Sequence, residues 1–491
     1  MTETPVGRWE WLSLAIVAVL FAGLRVPLFT APGLLLGWNS DAALFGLMAR
    51  AMRSGTDFPL FFWGQFYLGT LTSMLAAAVS VVLPAQEIGP LAVRLAAAVE
   101  LATAIAFYWL ALRRMFGPTP AMVAAAGLVA GPSFVFFFTT AAIGNELFVI
   151  AAVMLWYFTR ATFLRRGEWF VAGLLCGVAM WLHQGAVFLI AATAVALIVE
   201  RRLTIRNVAL AVAGAAIGYL PTLLSLLRND PLLYTRTTAG WSVAHILDNL
   251  VETARSDLWL LFADSSIVGI ATTLCLLFLA TIGLRASPSS RAKTIAILTL
   301  AFSAAFYLFT TYPYPGAVRY ISPVVPLVYG FAAYGVTVWR QAAGARGALA
   351  VGLTAVIAAG LYLPRYREAR AVAAGRSEQY SNWPGAFDPR PVLAELRRGR
   401  YAVCYGEVWV AHKLEFLSDP TVRFAVVRSV HRTLAQSLTF IDRPGPKCFV
   451  ENSGSVRALD AEEERMWAGA VRLRAEKMRR AAPKPWWQRL F

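Results

Sequence analysis

Acidic residues, histidine and cysteine are all scarce in this chain. Among 491 residues there are 28 Asp and Glu, four His and four Cys, and charged side chains of both signs make up only 15%. No His or Cys cluster has the spacing of a structural zinc site. Neither a G-x-x-x-x-G-K-[ST] loop nor a G-x-S-x-G elbow occurs, which argues against nucleotide hydrolysis. No internal repeat or low-complexity tract stands out, and the first apolar segment lacks a small-residue cleavage site, so it reads as a span rather than a signal peptide.

What the chain has instead is hydrophobicity, at 58% of residues with a mean hydropathy of +0.58. The apolar runs are too long and too frequent for the core of a soluble domain. Spans are predicted near 11–29, 91–112, 119–141, 146–163, 169–182, 185–199, 208–227, 266–284, 294–311, 321–338 and 347–363, about eleven in all. Clusters such as Arg113/Arg114, Arg201/Arg202/Arg206 and Arg285/Arg291/Lys293 fall in every second loop. Asp41, Asp57, Glu146, Asp230, Asp248 and Asp257 fall in the loops between. The positive-inside rule then puts the N-terminus in the cytoplasm, and Asp41 and the tail outside, which in a bacterium means the periplasmic face of the inner membrane. The net charge of +17 is largely this topological arginine beside anionic lipid, so no nucleic-acid partner is implied.

Three parts follow. Residues 30–90 form a long outer loop containing a helical apolar stripe over 41–54 (Leu44, Phe45, Met48, Ala51, Met52), read as an interfacial helix with Arg50 and Arg53 off the stripe. The apolar run 61–84 would invert every later loop if it crossed, so it is read as re-entrant or interfacial. Residues 1–363 as a whole make the membrane domain, and 364–491 a small extracytoplasmic α/β domain. Its strand-like runs are YAVCYGEVWV, VRFAVV and KCFVEN; its helical patterns are AHKLEFLS and AEEERMWAGAVRLRAEKM. Cys176 and Cys275 read as packing residues. Cys404 and Cys448 read as two buried thiols, with a disulfide left open if the compartment is oxidising.

Several polar residues stand out against this background. Asp41 falls in the first turn of the 41–54 helix, where the dipole favours its ionised form, ready to accept a proton; the same position also simply stabilises a helix. Glu146, at the outer end of two apolar helices, is costly against lipid and is expected to face an aqueous cavity. Arg319 lies among Pro313, Pro315, Pro323 and Pro326, where a guanidinium can grip a phosphate, or else reach to a lipid headgroup. His183 and Gln184 interrupt an apolar run, as ligands or as packing residues. Trp63 and Tyr67 belong either to the interfacial aromatic belt or to a sugar site. A divalent cation at Asp41 and Glu146 is permitted but not indicated.

The stretches SDAALFGLMARAMRSG, FPLFFWGQFYLGTL, LAVRLAAAVE with LRRMFG, RYISPVVP and YGEVWVAHKLEFLSD, in that order, resemble the GT-C glycosyltransferases. Within them the chain is similar to the protein O-mannosyltransferase and lipid A aminoarabinose transferase-like group. The resemblance implies transfer of a hexose or pentose from a polyprenyl-phosphate donor to a lipid, glycan or protein acceptor at the outer membrane face. It implies Asp41 as the catalytic carboxylate and Glu146 as the second acid. Arg319, with His183, Gln184 and Gln65, would hold the donor phosphate; Trp63, Tyr67 and Tyr320 would contact substrate. Two departures are visible: Ala42 follows Asp41 where relatives often have a second acid, and Trp63-Gly64-Gln65 stands where many have Lys-Pro. The alternative is a non-enzymatic transporter, flippase or scaffold for a lipid-linked saccharide, favoured by Glu100 inside the second span.

Overall fold

The structure is a computed structural model that describes residues 7–30, 34, 38, 40–63, 68–83, 88–132, 135–136, 146–159, 166–200, 204–227, 243–252, 255, 258–287, 290–309, 322–341, 345–376, 387–418, 421–427 and 437–481. Among the described residues its membrane part is mainly helical. Helix α1 (Arg8–Arg25) is followed by α2 (Ser40–Ser54), α3 (Leu71–Val82), α4 (Pro90–Phe116), α5 (Pro118–Ala130), α6 (Glu146–Phe158), α7 (Arg166–Leu182) and α8 (Val187–Val199). After α9 (Ile205–Gly218) and α10 (Leu220–Leu227) come α11 (Val243–Glu252), α12 (Leu258–Phe262), α13 (Ile267–Ala286), α14 (Ser290–Phe309), α15 (Val324–Gln341) and α16 (Ala345–Ala373).

Every predicted span coincides with a helix, but their lengths differ from expectation. Among the described residues four helices are long and apolar enough to cross a membrane: Arg8–Phe29, Pro90–Phe116, Ile267–Ala286 and Gly347–Ala373. The other predicted spans carry shorter apolar helices, Glu146–Phe158 among them. Local chemistry explains the shortening. Within 119–141 the helix breaks after Ala130, because Gly131 turns to φ 64° and Pro132 follows, while residues 137–141 lie outside the described residues. The 208–227 span breaks at Tyr219, ahead of Pro221 in the first turn of α10. Conversely, the last membrane helix runs through Pro364 to Ala373.

Small residues bring α7 and α9 together. Gly173 and Gly177 on one helix face Ala211 and Ala215 on the other, and a Cβ on Gly173 would lie 1.9 Å from the Ala211 carbonyl oxygen. This is the small-xxx-small approach of membrane helices, in which backbones meet because side chains are absent.

The C-terminal part is a three-layer α/β unit. Helix α17 (Pro389–Gly399) precedes β1 (Val403–Gly406), α18 (Val408–Leu417), β2 (Arg423–Val426), β3 (Lys447–Val450), β4 (Val456–Ala458) and α19 (Ala461–Ala481). The sheet order is β2-β1-β3-β4, with β1 parallel to both neighbours and β4 antiparallel at the edge. Strand alternation divides the core: Cys404, Phe424, Val426, Cys448 and Val450 pack with α17 and α18, whereas Val403, Tyr405 and Ala425 pack towards α19. The VWV run read as strand is helical, because the chain turns at Gly406-Glu407 to make the parallel crossover. Cys404 and Cys448 are register partners on β1 and β3 and form a disulfide, with Cα atoms 4.5 Å apart. This corrects the expectation of two thiols: parallel pairing, invisible in sequence, sets them opposite each other.

Helix α18 also docks the unit onto the membrane part. Phe416 packs against Trp38 at 5.1 Å between ring centroids and under the Arg50 guanidinium at 4.6 Å. Arg50 Nη2 donates to the Phe416 carbonyl at 2.9 Å. Gly46 makes room, since a Cβ there would meet the Phe416 ring at 2.2 Å. Helix α2 is therefore enclosed between bundle and C-terminal unit, with Ala42 through Phe45 inaccessible. Arg50 and Arg53 meet protein: Arg50 as above, Arg53 the Ser80 hydroxyl at 2.6 Å. An amphipathic stripe cannot tell a lipid surface from a protein one.

Three residues earlier in α18, Lys413 is buried, donates to the Phe387 carbonyl at 2.7 Å and lies 4.1 Å from the Phe387 ring centroid. Burial lowers its ammonium to about 8, with Asp388 opposing the shift. Between about pH 8 and the unfolded value near 10.5 the unfolded chain binds more protons, so stability rises with pH across that window. Thermal melting of the C-terminal unit from pH 7.5 to 10.5 is expected to show this rise, and Lys413→Met to flatten it.

Candidate active site

Glu146 is the first residue of α6 and is fully buried. Sequence reasoning expected an aqueous cavity; the structure gives it protein partners instead. Its Oε1 accepts from the Thr72 hydroxyl at 2.9 Å, with the Thr72 backbone N–H at 3.4 Å. The same hydroxyl lies 2.8 Å from Oε1 of Glu100, in the middle of α4 and also buried. A threonine hydroxyl has one proton to give. The two carboxyls therefore share the one Thr72 hydroxyl.

The segment that carries Thr72 also meets the His183 turn. Leu68 and His183 form an isolated antiparallel bridge, and the Gly69 N–H donates to the Leu182 carbonyl at 2.7 Å. His183 is buried, and its Nδ1 accepts from the Gly185 N–H at 2.9 Å. The neutral ring then carries its proton on Nε2, where it is a donor. Gln184, half-buried, opens the 3-10 turn Gln184–Ala186. A Cβ on Gly185 would lie 3.2 Å from Leu147, next to Glu146. Residues 68–72 thus tie the His183 turn to the Glu146 end of α6.

Asp41 lies in the first turn of α2, half-buried, and helices α2 and α3 pack together. Near their C-terminal ends, Arg53 of α2 donates to Ser80 of α3. The loop between them runs back along α2, Phe62 packing on Phe45 at 4.7 Å and the Trp63 N–H donating to Met48 Sδ at 3.4 Å. The two helices accordingly run in the same direction, which puts the Asp41 turn and the Thr72 turn at the same end. Trp63 is buried beside α2. Gln65, Tyr67, Arg319 and Tyr320 fall outside the described residues. No three His, Cys, Asp or Glu side chains converge among the described residues, and no metal centre is assigned.

Two members of the site were not picked out from sequence. Thr72 gave no signal, being one hydroxyl in an apolar run. Glu100 did give one, as an ionisable residue inside a span, but its partner was out of reach without the fold. Replacing Thr72 by Val should leave two buried carboxyls facing a methyl group and destabilise the protein by about 1–3 kcal/mol, while Thr72→Ser stays near wild type. Thermal unfolding of both variants in detergent is the measurement.

The same region is where known sequences match. Residues 70–225 match the dolichyl-phosphate-mannose-protein mannosyltransferase family, a stretch that contains Thr72, Glu100, Glu146, His183 and Gln184. No curated protein sequence matches significantly. Among solved structures, ArnT from Cupriavidus metallidurans in the apo state superposes over 90% of this chain and 92% of its own, at 16% identity and a TM-score of 0.61. The same protein bound to undecaprenyl phosphate covers 90% and 93%, at 15% identity and a TM-score of 0.60. The chain thus shares the fold of ArnT over nearly its whole length, and the stretch that carries the site-bearing helices is similar to the dolichyl-phosphate-mannose-protein mannosyltransferase family.

Proposed function

We propose that this protein transfers a sugar from a polyprenyl-phosphate donor to an acceptor hydroxyl, with inversion, at the periplasmic face of the bacterial inner membrane. The observation that carries this reading is the coincidence of the family match over 70–225 with the buried Glu100–Thr72–Glu146 cluster and the His183 turn. The structural likeness to a protein solved with undecaprenyl phosphate supports a lipid-phosphate donor. The buried Cys404–Cys448 disulfide supports an oxidising compartment for the C-terminal unit (364–491), as the arginine-rich loops do for the orientation of the membrane domain (1–363).

In this reading the acceptor oxygen attacks the anomeric carbon as the bond to the phosphate oxygen breaks. Asp41 takes the hydroxyl proton, its first-turn position favouring the carboxylate needed for that task. Glu146, fixed by Thr72 and backed by Glu100, is the second acid of the site. The His183 ring, presenting Nε2–H, together with Gln184, Gln65 and Arg319, stabilises the departing lipid phosphate. Trp63, Tyr67 and Tyr320 contact the sugar. A divalent cation at Asp41 and Glu146 remains compatible with two carboxylates but is not required by this scheme. Transport of a lipid-linked saccharide, the competing reading, drew on Glu100 as an isolated charge within a span. Its bond to Thr72 places Glu100 with Glu146 instead.

Transfer is to be measured with purified protein in detergent and a panel of radiolabelled polyprenyl-phosphate sugars. Asp41→Asn should lower the rate by about 10²–10⁴-fold, the usual worth of a general base, with donor binding retained. Unchanged turnover in Asp41→Asn would remove that residue from the mechanism. Movement of labelled lipid across proteoliposomes without transfer would favour transport.

A further inference from the structure

One aromatic ring joins the neighbourhood of Asp41 to the C-terminal unit. Phe416 of α18 is buried and meets the chain on both sides of Asp41. Before Asp41, the Trp38 ring lies 5.1 Å from it between centroids. After Asp41, a Cβ on Gly46 would fall 2.2 Å from the Phe416 ring, and the Arg50 guanidinium lies 4.6 Å from its centroid. A single ring from the other half of the chain thus brackets the segment that carries the carboxylate. Further along the same interface the packing opens: Arg50, Ala51 and Ser54 face Glu415 and Arg423 across a cavity of about 390 Å³. The two parts are therefore closed against each other at the ring and apart beyond it.

The stack continues into the membrane part. The Arg94 guanidinium lies 5.6 Å from the Trp38 ring centroid, within the range of a cation–π contact. Arg94 is buried, and its Nη1 donates to the Leu28 carbonyl at 3.0 Å. Leu28 lies in the 3-10 turn Val26–Phe29 that follows α1, and Trp38 precedes α2. One side chain therefore grips both ends of the connection between those helices. The Trp38 indole N–H adds a bond to the Leu34 carbonyl. Arg94 belongs to α4, six residues before Glu100, about 9 Å of helix rise. The helix that carries one acid of the Glu100–Thr72–Glu146 cluster thus also holds the approach to Asp41. A planar guanidinium is pre-organised for stacking on an aromatic face, as a flexible ammonium is not.

We infer that, with Asp41 the base as proposed above, Arg94, Trp38 and Phe416 are its positioning residues, and that the C-terminal unit acts in transfer through the Phe416 ring. The three work through Asp41 rather than on the substrate, by fixing the turn that presents the carboxylate. A general base must stay within hydrogen-bond reach of the proton it takes, and a displacement of about 1 Å costs about 100-fold in rate. Loosening the stack therefore slows the chemical step and leaves donor affinity as it is.

The test is transfer by the full chain in detergent, with kcat and the donor KM determined separately, well below the melting temperature of each variant. Phe416→Leu and Trp38→Leu keep apolar bulk and lose the planar ring. Each is expected to lower kcat about 10- to 100-fold, with the donor KM within about threefold of wild type. Trp38→Phe, which returns a ring for Arg94 and Phe416 to pack on, should bring kcat back to within about threefold. Ser54→Ala, in the cavity wall of the same interface but outside the stack, should match wild type. A residue that merely held the fold would move the melting temperature and leave kcat per folded molecule alone. Hydrogen exchange is read on the same proteins without donor, at the Leu44 to Gly46 amides that close the first turn of α2. It should quicken in both leucine variants and not in Trp38→Phe. Wild-type kcat in both leucine variants, a loss in Trp38→Phe or Ser54→Ala as large as in Trp38→Leu, or a raised donor KM with kcat intact would each overturn the proposal. Unchanged exchange at those amides would overturn it too. Should Phe416→Leu fail to fold, the two Trp38 variants decide by themselves. A wild type inert with every donor would sink the transferase reading instead, and exchange would still decide whether the stack holds the Asp41 turn.

Discussion

A carboxylate sealed inside an apolar helical bundle costs several kcal/mol unless it finds protons or donors to share. Glu146 and Glu100 are both in that position, and the Thr72 hydroxyl answers both. For it to do so, three helices must converge: α3 bringing Thr72, α4 bringing Glu100 and α6 opening with Glu146. The backbone bridge at Leu68 then draws in the turn between α7 and α8. Much of what surrounds the site follows from meeting this one electrostatic demand. It also explains why α3 is short. A helix that must present its first turn to a buried acid, and its last to Arg53 of α2, is occupied within the protein along its length.

Helix α2 is the second organising element, and its role is that of a hinge-pin between two folded parts. One end carries Asp41 in its first turn. Further along, Gly46 admits the Phe416 ring and Arg50 covers it. Beyond that, Arg50 and Ser54 line the cavity shared with the C-terminal unit. The C-terminal unit is thus more than an appendage, because it supplies one wall of a cavity and the ring that fixes α2.

Much of this was legible from composition and pattern. The apolar runs gave the helices, since burying backbone polar groups in lipid leaves few alternatives to a helix. The stripe Leu44, Phe45, Met48 gave α2, and strand-like runs gave β1, β2 and β3. Failures have specific causes. Period-3.6 amphipathicity does not say whether the apolar face meets lipid or protein, so α2 was read as lying on a surface. The VWV run is as apolar as a strand, but the crossover between parallel strands required a helix there. The pairing of Cys404 with Cys448 depended on β1 and β3 being neighbours, across 44 residues of sequence.

By itself the sequence determined the membrane class, the positions of the helices, and the identity of Asp41, Glu146 and His183 as polar residues in costly places. Those follow from local rules: hydrophobic length, proline and glycine as stops, and the penalty on charge near lipid. Only the tertiary structure decided that Glu100 and Glu146 share Thr72, that the His183 turn abuts the same segment, and that Phe416 docks against Arg50. Hydrogen bonds act over about 3 Å, whereas the residues that make these contacts lie tens to hundreds of positions apart. Their meeting depends on how the helices pack, and packing is a property of the whole chain.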